Sequence, residues 1–385
     1  MRETADVVIV GGGAVGASAA YHLADAGAGR ILLLEREASL GTGSTRRCAG
    51  GFRHQFSSGI NNELSLASVP LITGFTEQHG LPLDVDQDGY LFLVRTEPMW
   101  QSFLGALELQ RSMGVAVEVL TPEGAAGLVP GIATEDMIGA LFGPRDGIAD
   151  PSGLTNGYAT LARRAGAEIR TGVEVTGVRT HDGHVTGVFT RGGDIDVPVV
   201  VNAAGPWAGS LAATAGVALP LEPIPRQVAV TGPFPGAPKR RTLVIDADST
   251  YYFHREGPGV LMGMGGGPDE RASFDTRVDD AFIAEQVVPT ALRIFPPIEQ
   301  AGIATTWAGL YEMTPDRHPI IGPAPGVDGF LLANGFSGHG FQHAPIVGKL
   351  LAELVVDGRA HTVDIAPLSL ERFAGGQPVR ERHVI

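Results

Sequence analysis

The first residues whose spacing indicates chemistry are the glycines of GGGAVG, near the start of the chain. Gly11, Gly13 and Gly16 stand in G-x-G-x-x-G order after the apolar run DVVIV and before an alanine-rich stretch. Glycine lets the backbone turn tightly and approach a pyrophosphate, which then binds at the helix N-terminus. Glu35 ends the next apolar run about twenty residues on, where a carboxylate can bind ribose hydroxyls. The pattern predicts dinucleotide binding; the alternative is a glycine-rich turn beside an ordinary acidic residue.

A second glycine-rich junction lies near the other end of the chain, in LLANGFSGHGFQHAPIVGKLLAELVVDG. It again has the order strand, glycine turn and helix. The dipole and free N–H groups of that helix would stabilise negative charge at the pyrimidine end of a reduced flavin. The alternative is a plain helix cap. The first motif does not separate NAD from FAD, and this second junction favours FAD.

Composition limits the classes of protein to which the chain can belong. The chain has 385 residues, 44% of them hydrophobic, which is enough for two domains or one large α/β body. Its formal net charge of −14 argues against nucleic acid or an anionic membrane as the main partner. One cysteine excludes an internal disulfide and a cysteine-based metal cluster. We find no signal peptide or transmembrane-length apolar span, and expect a cytoplasmic protein.

Elements that position these motifs follow from the hydrophobic pattern. Strands are predicted at 6–10, 30–35, 89–95 and 329–334, and helices at 14–27, 61–78, 97–113, 278–293 and 343–357. The stretch from 151 onwards predicts a capped helix and then a β-meander ending in VVVNAAG, with turns at Asp182-Gly183 and Gly192-Gly193. Residues 219–265 are predicted to be mostly β. The nucleotide motif at the start and the glycine junction near the end predict discontinuous domains.

Several segments in order resemble D-amino-acid-oxidase-type FAD-dependent oxidoreductases. Within that family the chain is similar to sarcosine oxidases, glycine oxidase and the β subunits of heteromeric sarcosine oxidase and L-proline dehydrogenase. The resemblance spans nearly the whole chain and rests on VVIVGGGAVGASAAYHLA, GSTRRCAGGFRHQFS, GIADPSGLTNGYATLARRAGAEI, VVVNAAGPWA, GLYEMTPDRHPIIGP and ANGFSGHGFQHAP.

The fold implied by the resemblance is α/β (α+β overall), with a Rossmann-like FAD-binding domain and a mainly antiparallel, discontinuous substrate domain. We assign residues 1–80, 145–220 and 312–385 to the FAD-binding domain. Residues 81–144 and 221–311 are assigned to the substrate domain.

The resemblance also explains why a glycine-rich loop, GSTRRCAGGFR, gathers arginines in an acidic chain. It brings this loop to the flavin, where Ser44 and Thr45 would hydrogen-bond the cofactor. Arg53 aligns with an arginine that pairs with the substrate carboxylate in sarcosine oxidases, a task that suits the two-pronged guanidinium. The alternative is a structural arginine that bonds loop carbonyls. One of Arg46 and Arg47 would contact the cofactor, and the other would be solvated.

Residues expected at the site are carried over from the resemblance together with the two glycine motifs. The residues assigned to catalysis or substrate binding are Arg53, Tyr252, His339 and Gln342. Those assigned to the cofactor are Gly11, Gly13, Ala14, Val15, Gly16, Glu35, Arg36, Ser44, Thr45, Arg47, Gly50, Gly51, Val175, Ala204, Gly205, Trp207, Gly309, Gly335, Gly338, His339, Gly340, Phe341 and Gln342. No metal site is predicted, because the HDGH stretch falls in a hairpin turn.

Three departures from the sarcosine oxidase pattern refine the prediction. Gly309 stands where monomeric sarcosine oxidases attach flavin to cysteine, and Arg47 stands where some relatives attach it to histidine, so FAD is expected to be non-covalent. Gln342 replaces a carboxylate-binding lysine. Met262 occupies the place of a lysine that helps oxygen react, which favours a dehydrogenase over an oxidase.

The reaction implied is oxidation of a C–N bond beside a carboxylate, with hydride passing to flavin N5 and an imine leaving. The expected substrate is a small secondary or N-methyl amino acid, sarcosine-like or proline-like. A glycine or D-amino-acid oxidase stays open, as does a flavin-bearing subunit or assembly factor whose main role is partner binding. A homo-oligomer and a partner subunit both stay open.

Overall fold

Short apolar runs rich in valine, isoleucine and leucine form most of the strands, as expected for side chains that pack well on a pleated surface. The computed structural model describes residues 3–266, 270–375 and 378–383. Its strands are β1 Glu3–Thr4, β2 Val7–Val10, β3 Ile31–Glu35, β4 Gly51–Phe52, β5 Val85–Asp86, β6 Tyr90–Val94, β7 Glu118–Leu120, β8 Gly139–Gly143, β9 Gly147–Ala149, β10 Glu168–Thr171, β11 Val175–His181, β12 His184–Thr190, β13 Ile195–Asp196, β14 Val199–Asn202, β15 Glu222–Thr231, β16 Leu243–Asp246, β17 Tyr252–Glu256, β18 Gly259–Met264, β19 Ile303–Met313, β20 Ile320–Pro323 and β21 Phe330–Asn334.

Helices connect and cover these strands. They are α1 Ala14–Asp25, α2 Gly59–Thr73, α3 Phe75–His79, α4 Glu97–Ser112, α5 Pro122–Leu128, α6 Pro151–Arg164, α7 Ala208–Thr214, α8 Asp280–Phe282, α9 Val288–Ile294 and α10 Gly340–Val356, with a π-helical segment Ile283–Val287 between α8 and α9. Single 3₁₀ turns lie at Thr45–Arg47, Gly205–Trp207, Pro296–Gln300, Ala366–Leu368 and Leu370–Phe373. Within the described part of the chain, every helix is too short or too polar to span a bilayer.

A six-stranded sheet carries the nucleotide motif. Its order is β10-β3-β2-β14-β21-β20, and its pairs are parallel except for β20 with β21. The VVIV of β2 is fully buried, because Val7 and Ile9 pack against α1 and α10 on one face and Val8 and Val10 pack against β11 and β12 on the other. The carboxyl ends of β2, β14 and β21 therefore meet at one edge, which is where open α/β sheets bind ligands.

An eight-stranded sheet stands beside the first, in the order β19-β15-β18-β17-β16-β6-β8-β7. Its pairs are antiparallel except for β16 with β6. The long strands β15 and β19 pair over ten positions, from Glu222 with Met313 to Thr231 with Ile303. This sheet draws its strands from residues 90–143 and 222–313, whereas the first draws from the start, middle and end of the chain. The domain limits themselves stay a prediction.

Tight helix packing holds the first sheet's helices in place. Helix α1 contacts both α6 and α10. A Cβ at Gly348 of α10 would lie 2.3 Å from Ser18 Oγ of α1, so only glycine permits this approach. Ser18 Oγ also donates to the carbonyl of Pro345 at 3.3 Å, which ties α1 to α10.

The predicted α/β fold is confirmed, with differences in detail. The expected helix 61–78 is divided at Gly74, after Pro70 inside α2. The expected meander is only partly antiparallel: β11, β12 and β13 pair antiparallel, whereas β10 and β14 join the parallel sheet. The VVV run of β14 is apolar on both faces, which suits a strand covered on both sides better than a half-solvated meander strand.

Candidate functional site

The turn between β2 and α1 is shaped by glycine. Gly11 has φ of +108°, and a Cβ there would lie 2.3 Å from the carbonyl oxygen of Ala203. A Cβ at Gly16 would lie 1.9 Å from the carbonyl oxygen of Gly11. No side chain fits either place, so the turn stays tight and presents the N-terminus of α1. Gly13 caps that helix without a side-chain hydrogen bond, which leaves N–H groups for an anion.

Glu35 ties the same turn to the end of β3. Its Oε2 accepts from the Gly12 N–H at 2.7 Å, and its Oε1 accepts from the Glu37 N–H at 2.8 Å. Both oxygens retain lone pairs for further donors, since each carboxylate oxygen can accept two hydrogen bonds. Glu35 therefore orders the glycine turn and remains able to bind ribose hydroxyls.

A cavity of about 710 Å³ runs from this turn to the wall formed by β15, β17 and β19. Its volume lies within the range of small-molecule and cofactor pockets, roughly 300–1,000 Å³. Most of the residues predicted for the site line it. They are Gly11, Gly13, Ala14, Val15, Glu35, Arg36, Ser44, Thr45, Arg47, Val175, Ala204, Gly205, Trp207, Tyr252, Gly309, Gly338, Gly340 and Phe341.

The remaining predicted residues pack behind the lining. They are Gly16, Gly50, Gly51, Arg53, Gly335, His339 and Gln342. Gly50 and Gly335 have φ of +74° and +73°, and a Cβ at either position would collide with Ala149 or Thr314, so their role in this structure is close backbone packing. Met262, predicted to replace an oxygen-activating lysine, is buried on β18 with its Sδ 3.6 Å from the Tyr251 hydroxyl, away from the cavity lining.

Arg53 is enclosed and lies outside the cavity lining. It is 3% exposed, and its guanidinium donates to the carbonyls of Gln55 and His383 while lying 3.8 Å from the Phe56 ring. Burial lowers the pKa of its side chain. Gln342 fixes its backbone, accepting from the Arg53 N–H and donating to its carbonyl, both at 3.1 Å. The structure thus brings Arg53 and Gln342 together, one layer behind the cavity.

His339 stands at the N-cap of α10, between two glycines that line the cavity. Its ring packs edge-on against Phe56 at 4.8 Å, and neither ring nitrogen has a hydrogen-bond partner among the described residues. Burial, with the nearby Arg53, places the pKa of His339 well below its usual value. The imidazole is therefore neutral at physiological pH.

The arginine-rich loop docks on β19. Arg47 Nη1 donates to the Ala308 carbonyl at 2.8 Å, and Trp307 Nε1 donates to the Arg47 carbonyl at 3.0 Å. Ser44 Oγ donates to the Leu310 carbonyl at 2.7 Å, and the Thr45 hydroxyl accepts from the Ala14 N–H at 3.2 Å. The loop therefore connects the β2–α1 turn to the second sheet.

An aromatic and cationic cluster closes the part of the cavity nearest the glycine turn. The Arg36 guanidinium lies 3.7 Å from the centre of the Trp207 ring, and the Phe274 ring stacks on Trp207 with the ring centres 5.9 Å apart. Cation–π contacts of this kind hold flat groups in place. Arg36 and Trp207 were predicted, whereas Phe274 lies in a stretch without a sequence signal.

The sequence analysis missed Arg226 and Glu312, which line the cavity together with Tyr311. Arg226 lies on β15, 5.2 Å from the Tyr311 ring, and its Nε has no hydrogen-bond partner among the described residues. Its guanidinium forms an ion pair with Glu270. The strand EPIPRQVAVT has no motif that marks Arg226, because its neighbours come from strands distant in sequence.

Glu312 is a half-buried carboxyl near the end of β19, and its Oε2 is inaccessible to solvent. Its Oε1 accepts from the Phe336 N–H at 3.4 Å, and its Oε2 lacks a partner in the described part of the chain. Burial raises the pKa of Glu312 to about 7 from the usual 4.5. The group therefore titrates near neutral pH inside the cavity.

Comparisons with known proteins agree with this geometry. The model of the DAO family, described as FAD dependent oxidoreductase, matches residues 6–354. FAD-dependent oxidoreductase domain-containing protein 1 of Xenopus laevis is 33% identical over 431 residues, covering 100% of this chain and 85% of that protein. Mitochondrial sarcosine dehydrogenase of Mus musculus is 31% identical over 389 residues, covering 97% of this chain but 42% of that protein. L-proline dehydrogenase from P. horikoshii superposes with a TM-score of 0.91 at 33% identity, covering 99% of this chain and 100% of that one.

The residues present fit FAD. N–H groups at the N-terminus of α1 can bind the pyrophosphate, and Glu35 lies beside them. Arg36 with Trp207 supplies a flat, cationic surface. The predicted family and the FAD cofactor are confirmed by the comparisons.

We expect acid precipitation of the protein to release FAD unmodified, because the cofactor is not covalently attached. Arg47 and Gly309 offer no nucleophile at the two attachment positions, and burial raises the pKa of the Cys48 thiol to about 11, which keeps it protonated. Absorbance of the supernatant and the pellet at flavin wavelengths measures this. Yellow colour retained in a washed pellet would contradict it.

Glu312→Gln should change how the stability of the flavin-free protein depends on pH. The folded state holds the Glu312 proton up to about pH 7, whereas the unfolded chain releases it near 4.5. Wild-type stability contributed by this group is therefore lost as pH rises through that window, by at most about 3 kcal/mol. Urea unfolding at pH 5 and pH 8 should show that the free energy of unfolding falls less in the variant than in the wild type as the pH is raised. The exposed Glu299→Gln is the control, and equal pH dependence of wild type and Glu312→Gln would contradict the assignment.

Proposed function

We propose that this chain, which belongs to the DAO family of FAD-dependent oxidoreductases, oxidises a small secondary or N-methyl amino acid. The chain is an FAD-dependent amino acid or amine oxidoreductase. The two relatives act on sarcosine and L-proline by name, and both substrates carry a secondary amine beside a carboxylate. That shared chemistry supports the substrate class proposed here.

The observation that carries the proposal is the Arg226 guanidinium at the cavity wall. Its side chain is 11% exposed, and its guanidinium lies 5.2 Å from the centre of the Tyr311 ring and interacts electrostatically with Tyr252. A partly desolvated guanidinium binds a carboxylate strongly. Glu270 balances its charge in this structure, and a substrate carboxylate would share or replace that contact. We therefore assign the substrate carboxylate to Arg226, while the role of Arg53 stays a prediction from the resemblance.

Protonation states at this wall favour a neutral amine. Burial raises the pKa of Tyr252 and of Tyr311, so both hydroxyls keep their protons and can donate to the substrate. Burial lowers the pKa of His339 at the N-cap of α10, so this imidazole is neutral and adds no positive charge near the cavity. A guanidinium close to the substrate lowers the pKa of its amine, and only the neutral amine has the lone pair that assists C–H cleavage. When bound, FAD supplies the acceptor for the hydride.

Anaerobic bleaching of the flavin absorbance tests the function. The panel is sarcosine, N-methylated amino acids, L-proline, glycine and D-alanine. We expect secondary amines to bleach the flavin fastest, and slow reoxidation on admitting air, as for a dehydrogenase. Faster bleaching by glycine or D-alanine would contradict the proposed class, and no bleaching of FAD-loaded protein would contradict amino acid oxidation.

Arg226→Lys and Arg226→Gln test the carboxylate assignment. Lysine keeps the charge but loses the planar fork, so we expect the substrate concentration for half-maximal bleaching to rise about tenfold with lysine and about a hundredfold with glutamine. The FAD content should stay unchanged. Arg359→Lys, at an exposed position, is the matched control. If Arg53→Lys has this effect and Arg226→Lys does not, the carboxylate belongs to Arg53.

A further inference from the structure

Residues 378–383 contribute a buried carboxylate, that of Glu381, which has no role in the proposed amine oxidation. Glu381 is 0% exposed. Its Oε1 accepts from the N–H and hydroxyl of Ser57 at 2.8 and 2.6 Å, and its Oε2 accepts from the N–H and hydroxyl of Ser58 at 3.1 and 2.7 Å. Asn61 Nδ2 and the His383 N–H complete the shell at 3.2 and 3.0 Å. Burial alone would raise the pKa of Glu381, but these donors lower it well below its usual value.

Main-chain and ring contacts hold the rest of this segment. The Glu381 N–H donates to the Asp316 carbonyl at 2.9 Å, and the Arg382 N–H donates to Ser57 Oγ at 2.8 Å. The His383 ring stacks on Phe103 at 3.9 Å with an interplanar angle of 6°. These contacts fix the segment 378–383, and with it the Glu381 carboxylate, against the rest of the protein.

Two routes connect Glu381 to the cavity. Ser58 is the N-cap of α2, so the carboxylate sits at the positive end of a fifteen-residue helix. Further along α2, Ser65 Oγ lies 3.0 Å from Gln342 Nε2, and Ser68 Oγ donates to the Gln342 carbonyl at 2.6 Å. Helix α2 thus holds the first turn of α10, whose Gly340 and Phe341 line the cavity.

The second route runs through the loop 53–58. The His383 carbonyl accepts from the Arg53 guanidinium, and Gln342 bonds both main-chain groups of Arg53. Phe56 of the same loop packs on His339 at the N-cap of α10. Both routes end at the turn 338–342, so the segment 378–383 braces the part of the cavity where that helix begins.

We propose that Glu381 is a positioning residue of the FAD site, acting through Ser57, Ser58 and Gln342 on the N-terminal turn of α10. It touches neither the cavity nor the reacting atoms. Its carboxylate fixes the loop 53–58 and the start of α2, and these fix the turn 338–342. Only the effect on amino acid binding rests on the proposed function; the effects on the segment and on FAD do not.

The test compares Glu381→Gln with Glu371→Gln, an exposed glutamate on the preceding 3₁₀ turn. Glutamine keeps the size of the side chain but removes the charge and places an NH₂ group against donors. Limited trypsin digestion at the exposed Arg380 and Arg382, followed by mass spectrometry, reports whether the segment is docked. Fluorescence titration of the flavin-free protein gives FAD affinity, and anaerobic bleaching gives apparent substrate affinity and the limiting rate.

We expect Glu381→Gln to be cut about tenfold faster, to bind FAD about tenfold more weakly, and to need more substrate for half-maximal bleaching, with the limiting rate little changed. Faster cutting with unchanged FAD affinity would overturn the proposal, as would unchanged cutting or tighter substrate binding. His383→Ala serves if Glu381→Gln does not fold, because it removes the stacking on Phe103 and the hydrogen bond between His383 Nε2 and Ser102 Oγ but leaves the Glu381 carboxylate in place. It should give the same pattern, more weakly. Failure of every amino acid to bleach the wild type would instead count against the proposed function, leaving the trypsin and FAD results to decide the role of Glu381.

Discussion

The rest of the site depends on the contact between Gly11 and the carbonyl of Ala203. The backbone of β2 can turn into α1 only because no Cβ stands between these two strands' ends. That contact sets the direction of α1, and hence where its free N–H groups point. The Ala203 N–H donates to the Val10 carbonyl at 2.9 Å and holds the end of β14 against the turn, which places Ala204, Gly205 and Trp207 on the cavity wall. A tight glycine turn thus fixes two sides of the cavity at once.

Charge is handled differently on the two sides of the cavity. Near the glycine turn the anion-binding groups are backbone N–H groups, which cost no side-chain entropy to place. Toward the second sheet they are a side chain, Arg226, paired with Glu270. Behind the lining, Arg53 is satisfied by carbonyls and Glu381 by hydroxyls and N–H groups, so neither buried charge depends on a direct ion pair between them.

Local sequence predicted the parts of the structure that are built from local contacts. The strand–turn–helix at Gly11–Gly16, the strand ending at Glu35 and the helix after residue 339 are each set by a short pattern of glycines and apolar residues. Arg226 and Glu312 could not be found that way, since their environment is made by strands that meet only in the folded sheet. For Arg53, residue type and alignment predicted a substrate ligand. The sequence could not show that its guanidinium bonds the carbonyl of His383, which lies 330 residues further along the chain. Glu381 lies in a short charged stretch, and only the fold reveals the serines around it.

The order of strands in the six-stranded sheet has a consequence for synthesis on the ribosome. Strand β14 pairs on one side with β2 and on the other with β21, so its second edge has no partner until Phe330–Asn334 has left the exit tunnel. The glycine turn is made within the first sixteen residues, yet the wall formed by β19 and the first turn of α10 arrives some 300 residues later. A nascent chain therefore carries an open parallel edge on β14 while about 130 residues are added, from Asn202 to Asn334. The cofactor pocket can therefore be completed only when the chain is nearly finished.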